Sequence, residues 1–193
     1  MTTPAADGFF MPAEWERHER CWIAWPCRAE LWNDGLDKAR AAYAEVARAI
    51  AGFEPVSMIV RPEDTAASAQ LCGERIEIVP LAIDDSWMRD SGPTFLRRAD
   101  GAIAGCTWRF NAWGEKYAGY ANDATLAQRV LELLELRRFD ATFILEGGSI
   151  HSDGEGTVLT TESVLLNQNR NPGIAREGME ALLHEWIGAR QVV

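Results

Sequence analysis

Two acid-glycine turns, Asp100-Gly101 and Asp153-Gly154-Glu155-Gly156, interrupt what is otherwise an alternation of strand-like and helix-like runs. Each lies between segments of β-prone residues: Thr94–Arg98 and Ala102–Phe110 for the first, Ser149–His151 and Thr157–Thr161 for the second. Such a turn between such runs predicts an antiparallel hairpin. A purely doubly wound sheet has few hairpins, because helices join its parallel strands. The chain is therefore expected to be α/β, with hairpins and helices alternating in a repeating ββαβ-like unit.

In chain order, residues 1–11 read as a flexible tail, followed by one domain over 12–193. Cys21–Trp25 (CWIAW) reads as a buried strand stopped by Pro26. Asn33 or Asp34 is expected to cap a helix with Leu36, Ala39, Tyr43, Val46, Ala47 and Ile50 on one face, ending at Gly52. Val56–Val60 is a short strand, and Pro62 opens a second helix. Ile76–Leu81 is the strand that leads into Asp84–Thr94. Beyond the first hairpin comes the polar, aromatic loop FNAWGEKYAGY, then Asp123 as cap of a helix carrying Leu126, Val130, Leu133 and Leu134. Ala141–Leu145 (ATFIL) reads as a strand that delivers Glu146-Gly147-Gly148. Asn171 and Pro172 are expected to start a last helix with Met179, Leu182, Leu183, Trp186 and Ile187 on one face. Gln191-Val192-Val193 reads as the start of a further strand, which suggests a chain truncated at its C-terminus.

The net charge of −10 argues against a nucleic-acid partner, since phosphate binding needs clustered Lys and Arg. It fits either plain solubility or a cationic ligand, and charge alone leaves both open. No run reaches the roughly 18 apolar residues of a membrane span. With no basic, apolar leader and no Asn-x-Ser/Thr sequon, the expected location is cytoplasmic. The four cysteines, Cys21, Cys27, Cys72 and Cys106, form no CxxC pair and have no histidines at zinc-ligand spacing. They are expected to be reduced and mostly buried, with no structural metal.

Chemistry concentrates in two stretches. Asp84–Thr94 (DDSWMRDSGPT) places three carboxylates, Arg89 and Trp87 between a strand and a Gly-Pro break. Asp90 can offer a two-oxygen fork to a planar cation while Trp87 supplies an aromatic face. Equally, Arg89 and Asp90 can form a local ion pair. Glu146–Thr157 (EGGSIHSDGEGT) leads into a strand rather than a helix, which disfavours phosphate cradling, and its oxygens lack calcium-loop spacing. It is either a tight hairpin, or a site in which Glu146 ends a strand and Gly147-Gly148 lets a ligand approach the backbone. His151 is a candidate base or an alternating hairpin residue, whereas His18 and His184 read as surface residues. Arg170, in NQNRNP, is expected to pin neighbouring carboxylates.

Taken together, MPAEWERHERCWIAWP (Met11–Pro26), DDSWMRDSGPTF (Asp84–Phe95), RFNAWGEKY (Arg109–Tyr117), EGGSIHSDGEGT (Glu146–Thr157) and TTESVLLNQNRNP (Thr160–Pro172) resemble agmatine deiminase and the related bacterial-type peptidylarginine deiminases of the guanidine-modifying, or pentein, superfamily. The resemblance covers nearly the whole chain. It implies a five-bladed α/β propeller of ββαβ units, about half of it present here. It also implies hydrolysis of a guanidinium to a ureido group with loss of ammonia, which turns agmatine into N-carbamoylputrescine for polyamine synthesis. A cysteine thiolate and a histidine would do this through a thiouronium intermediate, with no metal or organic cofactor. By the same resemblance Asp90 binds the guanidinium, Trp87 lines the pocket and Glu146 orients the histidine or the substrate. The family's GHxD histidine motif and its late cysteine are absent here, so the chain alone is expected to be inactive. A homodimer is implied for the full-length protein. An arginine or peptidylarginine substrate, or a non-catalytic pentein-fold binding module, are the alternatives.

Overall fold

The computed structural model describes residues 2–33 and 35–193. Its strands and longer helices, in chain order, are β1 (Phe9–Phe10), β2 (Cys21–Ala24), α1 (Leu36–Ile50), β3 (Val56–Val60), α2 (Thr65–Cys72), β4 (Ile76–Pro80), β5 (Thr94–Arg98), β6 (Ile103–Arg109), α3 (Leu126–Leu133), β7 (Arg137–Ile144), β8 (His151–Ser152), β9 (Thr157–Leu159), α4 (Arg176–Ile187) and β10 (Gln191–Val192). They form two compact units. The first comprises Met1–Glu16, Arg89–Ala118 and Ala124–Val193; the second comprises Arg17–Met88 and Gly119–Asp123. No helix among the described residues is long and apolar enough to cross a membrane.

The first unit carries the ββαβ pattern twice. β5 and β6 pair antiparallel across the Asp100-Gly101 turn, and α3 crosses over to place β7 parallel to β6. β8 and β9 pair antiparallel across the second turn, and α4 crosses over to place β10 parallel to β9. Antiparallel neighbours need only a tight turn, while parallel neighbours need a crossover, so turns and helices alternate along the chain. The second turn is held by Asp153, whose Oδ1 accepts from the backbone N–H groups of Glu155 (2.7 Å) and Thr157 (2.9 Å). The core of this unit includes the mutually tilted rings of Trp108, Phe143 and Trp186, with centroids 5.4 to 6.2 Å apart.

Three sequence expectations fail in this unit. Residues 2–11 do not behave as a loose tail: β1 pairs with the edge of β5, Phe9 is buried with its ring edge-on to Phe139, and Met11 is buried. A two-residue strand is too short to produce a periodic signal, and the open edge of β5 supplies its partner. β7 starts at Arg137 rather than Ala141, because Phe139, Ala141 and Phe143 alternate inward while Asp140 and Thr142 between them face out. α4 starts at Arg176, not at Asn171. The Asn171 side chain instead bonds both backbone groups of Ile144 (3.0 and 2.8 Å) and the Leu165 carbonyl (3.1 Å), which ties the end of β7 to a helical turn at Glu162–Leu165.

The second unit has a different pattern. β2, β3 and β4 are all parallel, connected by α1 and α2, and every residue of β3 is buried. The buried stripe of α1 is Ala39, Ala44 and Ala47, while Val46, expected on the inner face, is exposed. Asn33 does not cap this helix. Its N-cap is Gly35, with no side-chain hydrogen bond, and Asp34 lies outside the described residues. A small-residue stripe lets the helix sit close to the sheet.

The end of α3 makes a prediction. Its inner face is Leu126, Ala127, Val130 and Leu131, with Leu133 exposed. The N–H of Leu136 bonds to Leu131 O and that of Glu135 to Glu132 O, which is the Schellman arrangement. Glu135 occupies its left-handed position at φ 53°, where glycine is favoured. Glu135 is exposed, so Glu135→Gly is expected to stabilise the protein by about 0.5–1 kcal/mol, read as a higher denaturant midpoint at unchanged slope.

Candidate active site

Asp90 lies on a single helical turn, Met88–Ser91, just before β5. Its two oxygens are held separately. Oδ1 accepts from the backbone N–H of Gly148 at 3.1 Å, and Oδ2 accepts from the indole Nε1–H of Trp113 at 3.2 Å. Burial pushes the Asp90 carboxyl above its ordinary pKa, while these two donors and the nearby Arg89 oppose that rise. Arg89 does not fold back into a local ion pair with Asp90; its guanidinium pairs with Glu14. Each Asp90 oxygen accepts one of these donors, and a carboxylate has about four acceptor positions, so the outer ones can meet a planar bidentate cation.

The glycine pair has a different role from the one its sequence suggests. A Cβ on Gly148 would overlap Asp90 Oδ1, and a Cβ on Gly147 would overlap the carbonyl oxygen of Arg89. The group that comes close to this backbone is the Asp90 turn. Beside it, Glu146 is buried, with its side chain 3% exposed. Both its oxygens accept from Arg170 Nε, at 2.8 and 3.1 Å. Burial raises the Glu146 pKa, Arg170 lowers it and the Asp90 charge raises it. The structure thus commits the Glu146 carboxylate to Arg170, the pinning role expected of that arginine. His151 is exposed on β8.

Sequence reading missed Trp113 and the asparagines around it. Ala112, Trp113, Gly114 and Glu115 form a left-handed turn with φ of 51°, 60°, 79° and 62°. Each non-glycine residue in that conformation costs about 1–2 kcal/mol. Asn111 is the anchor: its Oδ1 accepts from Gly114 N at 2.9 Å and its Nδ2 donates to Asn169 O at 2.9 Å. Asn169 Oδ1 accepts from Arg170 Nη1 at 3.0 Å. The available signal was the Asn-x-x-Gly spacing inside an aromatic loop, which favours αL conformations.

In the second unit, Trp87 is exposed and stacks on Trp32 at 6.4 Å and 13°. Asp84 and Asp123 form a reciprocal clamp. Asp84 Oδ2 and Oδ1 accept from Asn122 N (2.7 Å) and Asn122 Nδ2 (2.8 Å), and Asp123 Oδ1 accepts from Asp84 N (2.8 Å). Asp123, expected as a simple helix cap, is instead buried in this clamp. Burial, together with the charges of Asp84 and Asp85, pushes it up to about 7.

The family model for Porphyromonas-type peptidyl-arginine deiminases matches residues 10–193. The chain belongs to this family. Among curated relatives, the agmatine deiminase of Stutzerimonas stutzeri is 46% identical over 198 residues, covering 100% of this chain and 54% of that protein. Among solved structures, the agmatine deiminase of Enterococcus faecalis matches with a TM-score of 0.96 at 36% identity, over 100% of this chain and 54% of that one. A C. jejuni agmatine deiminase variant with substrate bound matches with a TM-score of 0.86 at 26% identity, over 96% and 55%. The chain therefore spans about half the length of the relatives it matches. It has the pentein-type α/β fold, with about half of that fold present.

Three outcomes follow. Gly147→Ala sets a Cβ against backbone that cannot swing away, and is expected to destabilise by roughly 1–3 kcal/mol in chemical denaturation. Gly178→Ala, inside α4 with only ordinary contacts, is expected to stabilise by about 0.5–1 kcal/mol. For Asp123, a folded pKa of about 7 against an ordinary 3.8 means that the native state holds a proton the unfolded chain gives up. That contribution is full below about pH 4 and is lost as pH rises through 7. Asp123→Asn, which keeps an acceptor for Asp84 N, should gain on the parent by roughly 2 kcal/mol between pH 5 and pH 8 in paired denaturation curves.

Proposed function

We propose that this chain is the guanidinium-holding part of an agmatine deiminase-type hydrolase. The observation that carries the reading is the Asp90 carboxylate, gripped by Gly148 N–H and Trp113 Nε1–H. The two donors favour its charged form against the opposing effect of burial and fix its orientation, which is what a planar cation requires. Glu146, held by Arg170 and close enough to feel the Asp90 charge, is the second carboxyl, with the role of orienting the histidine or the substrate in this reading. Trp87, which stacks on Trp32, keeps in this reading the aromatic role that the family resemblance implies for it.

In the reaction a cysteine thiolate adds to the guanidinium carbon and forms a C–S bond. A histidine protonates the leaving nitrogen, ammonia departs, and a thiouronium remains. The same histidine takes a proton from water, the resulting hydroxide adds to that carbon, and the C–S bond breaks to release the ureido product and the thiolate. In this reading the attacking thiolate is none of Cys21, Cys27, Cys72 and Cys106: burial pushes Cys27 up to about 12 and raises the other three, which disfavours each as a thiolate. The relatives named as agmatine deiminases support agmatine, and with it N-carbamoylputrescine, as substrate and product. The family description supports peptidyl-arginine as the second reading. A cytoplasmic homodimer acting in putrescine synthesis is the setting we propose.

The test is ureido-product formation from agmatine, arginine and arginyl peptides by the full-length protein. Agmatine should be the preferred substrate, and Asp90→Asn should cut turnover by at least about a thousandfold with the fold retained. The 193-residue chain alone should give no product. Undiminished turnover by Asp90→Asn would refute the role of Asp90, and robust turnover by the isolated chain would refute the division of labour.

A further inference from the structure

We infer that Trp113 is a positioning residue for Asp90, and that the left-handed turn Ala112–Glu115 serves to aim its indole N–H at Oδ2. The inference rests on the guanidinium-binding role proposed for Asp90. Three observations carry it.

First, the indole is boxed. Phe110 meets it edge-on at 5.2 Å and 87°, and Tyr117 meets it at 5.9 Å and 90°. A ring held on two sides has one orientation, and in that orientation Nε1 reaches Asp90 Oδ2 at 3.2 Å. Second, the backbone that presents the ring is strained and actively maintained. Besides the Asn111–Gly114 bond, Glu115 N donates to Asn111 O at 2.7 Å and Lys116 N donates to Ala112 O at 3.1 Å. A Cβ at Gly114 would overlap the Asn169 side chain, so the turn is also packed shut from outside. Strain maintained by a dedicated network is the pattern of a pre-organised site. Third, the network continues past the turn. Asn111 holds Asn169, Asn169 holds Arg170, and Arg170 holds Glu146. Asp90 and Glu146 are thereby tied together twice: through the Gly147-Gly148 backbone, and through Trp113, the asparagines and Arg170.

The consequence for binding is specific. Gly148 N–H and the indole N–H each occupy one acceptor position on a different oxygen, which fixes the carboxylate plane. The outer acceptor positions are left for two parallel N–H groups of a guanidinium. Without the indole, the carboxylate is free to rotate about its remaining bond and burial favours its protonated form. A purely structural role for Trp113, packing between Phe110 and Tyr117, would survive replacement by phenylalanine.

The test uses Trp113→Phe in the full-length protein, which keeps a ring and removes the donor. The expected result is a fall in kcat/KM for the guanidinium substrate of about tenfold, carried mainly by KM, with the acidic limb of its pH profile moved up by about one unit. An unchanged profile, or a uniform loss with no movement of the acidic limb, overturns the inference. A second readout needs neither the Trp113 variant's folding nor turnover. The Trp113 indole Nε1–H resonance in the parent should shift with the ionisation of Asp90, and the shift should be absent in Asp90→Asn. An indole insensitive to Asp90 overturns the inference whatever the activity. A protein with no deiminase activity but a titrating indole would instead refute the proposed function and leave the positioning role standing.

Discussion

The hydrogen bond from Gly148 N–H to Asp90 is the constraint around which the first unit's site is built. It requires the segment leaving β7 to run against the turn before β5 at a separation no side chain permits. Gly147 and Gly148 supply that proximity, and Asn171 fixes where β7 ends by bonding both backbone groups of Ile144. Glu146 follows directly from that fixed end, and its burial is tolerable because Arg170 meets it from the neighbouring turn. Breaking such a pair from one side would leave a buried charge uncompensated, which is the costliest way to disturb it.

Polar groups around Asp90 and Glu146 are satisfied in a chain rather than in isolated pairs. Asn111, Asn169 and Arg170 each make at least two side-chain or backbone bonds that point toward one of the two carboxylates. A network of this kind has few alternative arrangements at comparable energy, so it holds a site more rigidly than packing alone. The left-handed turn is the cost of that arrangement, offset by the bonds that hold it. In the second unit a separate network, the Asp84–Asp123 clamp, fixes the loop after β4 by exchanging backbone N–H groups between two acidic segments. Negative residues gathered there serve the fold as well as the net charge.

The two hairpins, the crossover helices and the ββαβ rhythm of the first unit were legible because each depends on local rules: a short acid-glycine turn, a 3.6-residue period, a glycine stop. What was misread involved non-local partners. β1 was invisible because its signal lies in the β5 edge it joins. The inner face of α1 was rotated because alanines, not Val46, fit against the sheet. Asn171 and Asp123 looked like helix caps because both are good caps by type, but each found a better partner far along the chain.

By itself the sequence determined the family and the α/β class and singled out Asp90 as a candidate, since these depend on residue types at short spacing. Only the tertiary structure decided what holds Asp90. The indole of Trp113 and the N–H of Gly148 are 23 and 58 residues away along the chain, and no local pattern can report a hydrogen bond made across that distance.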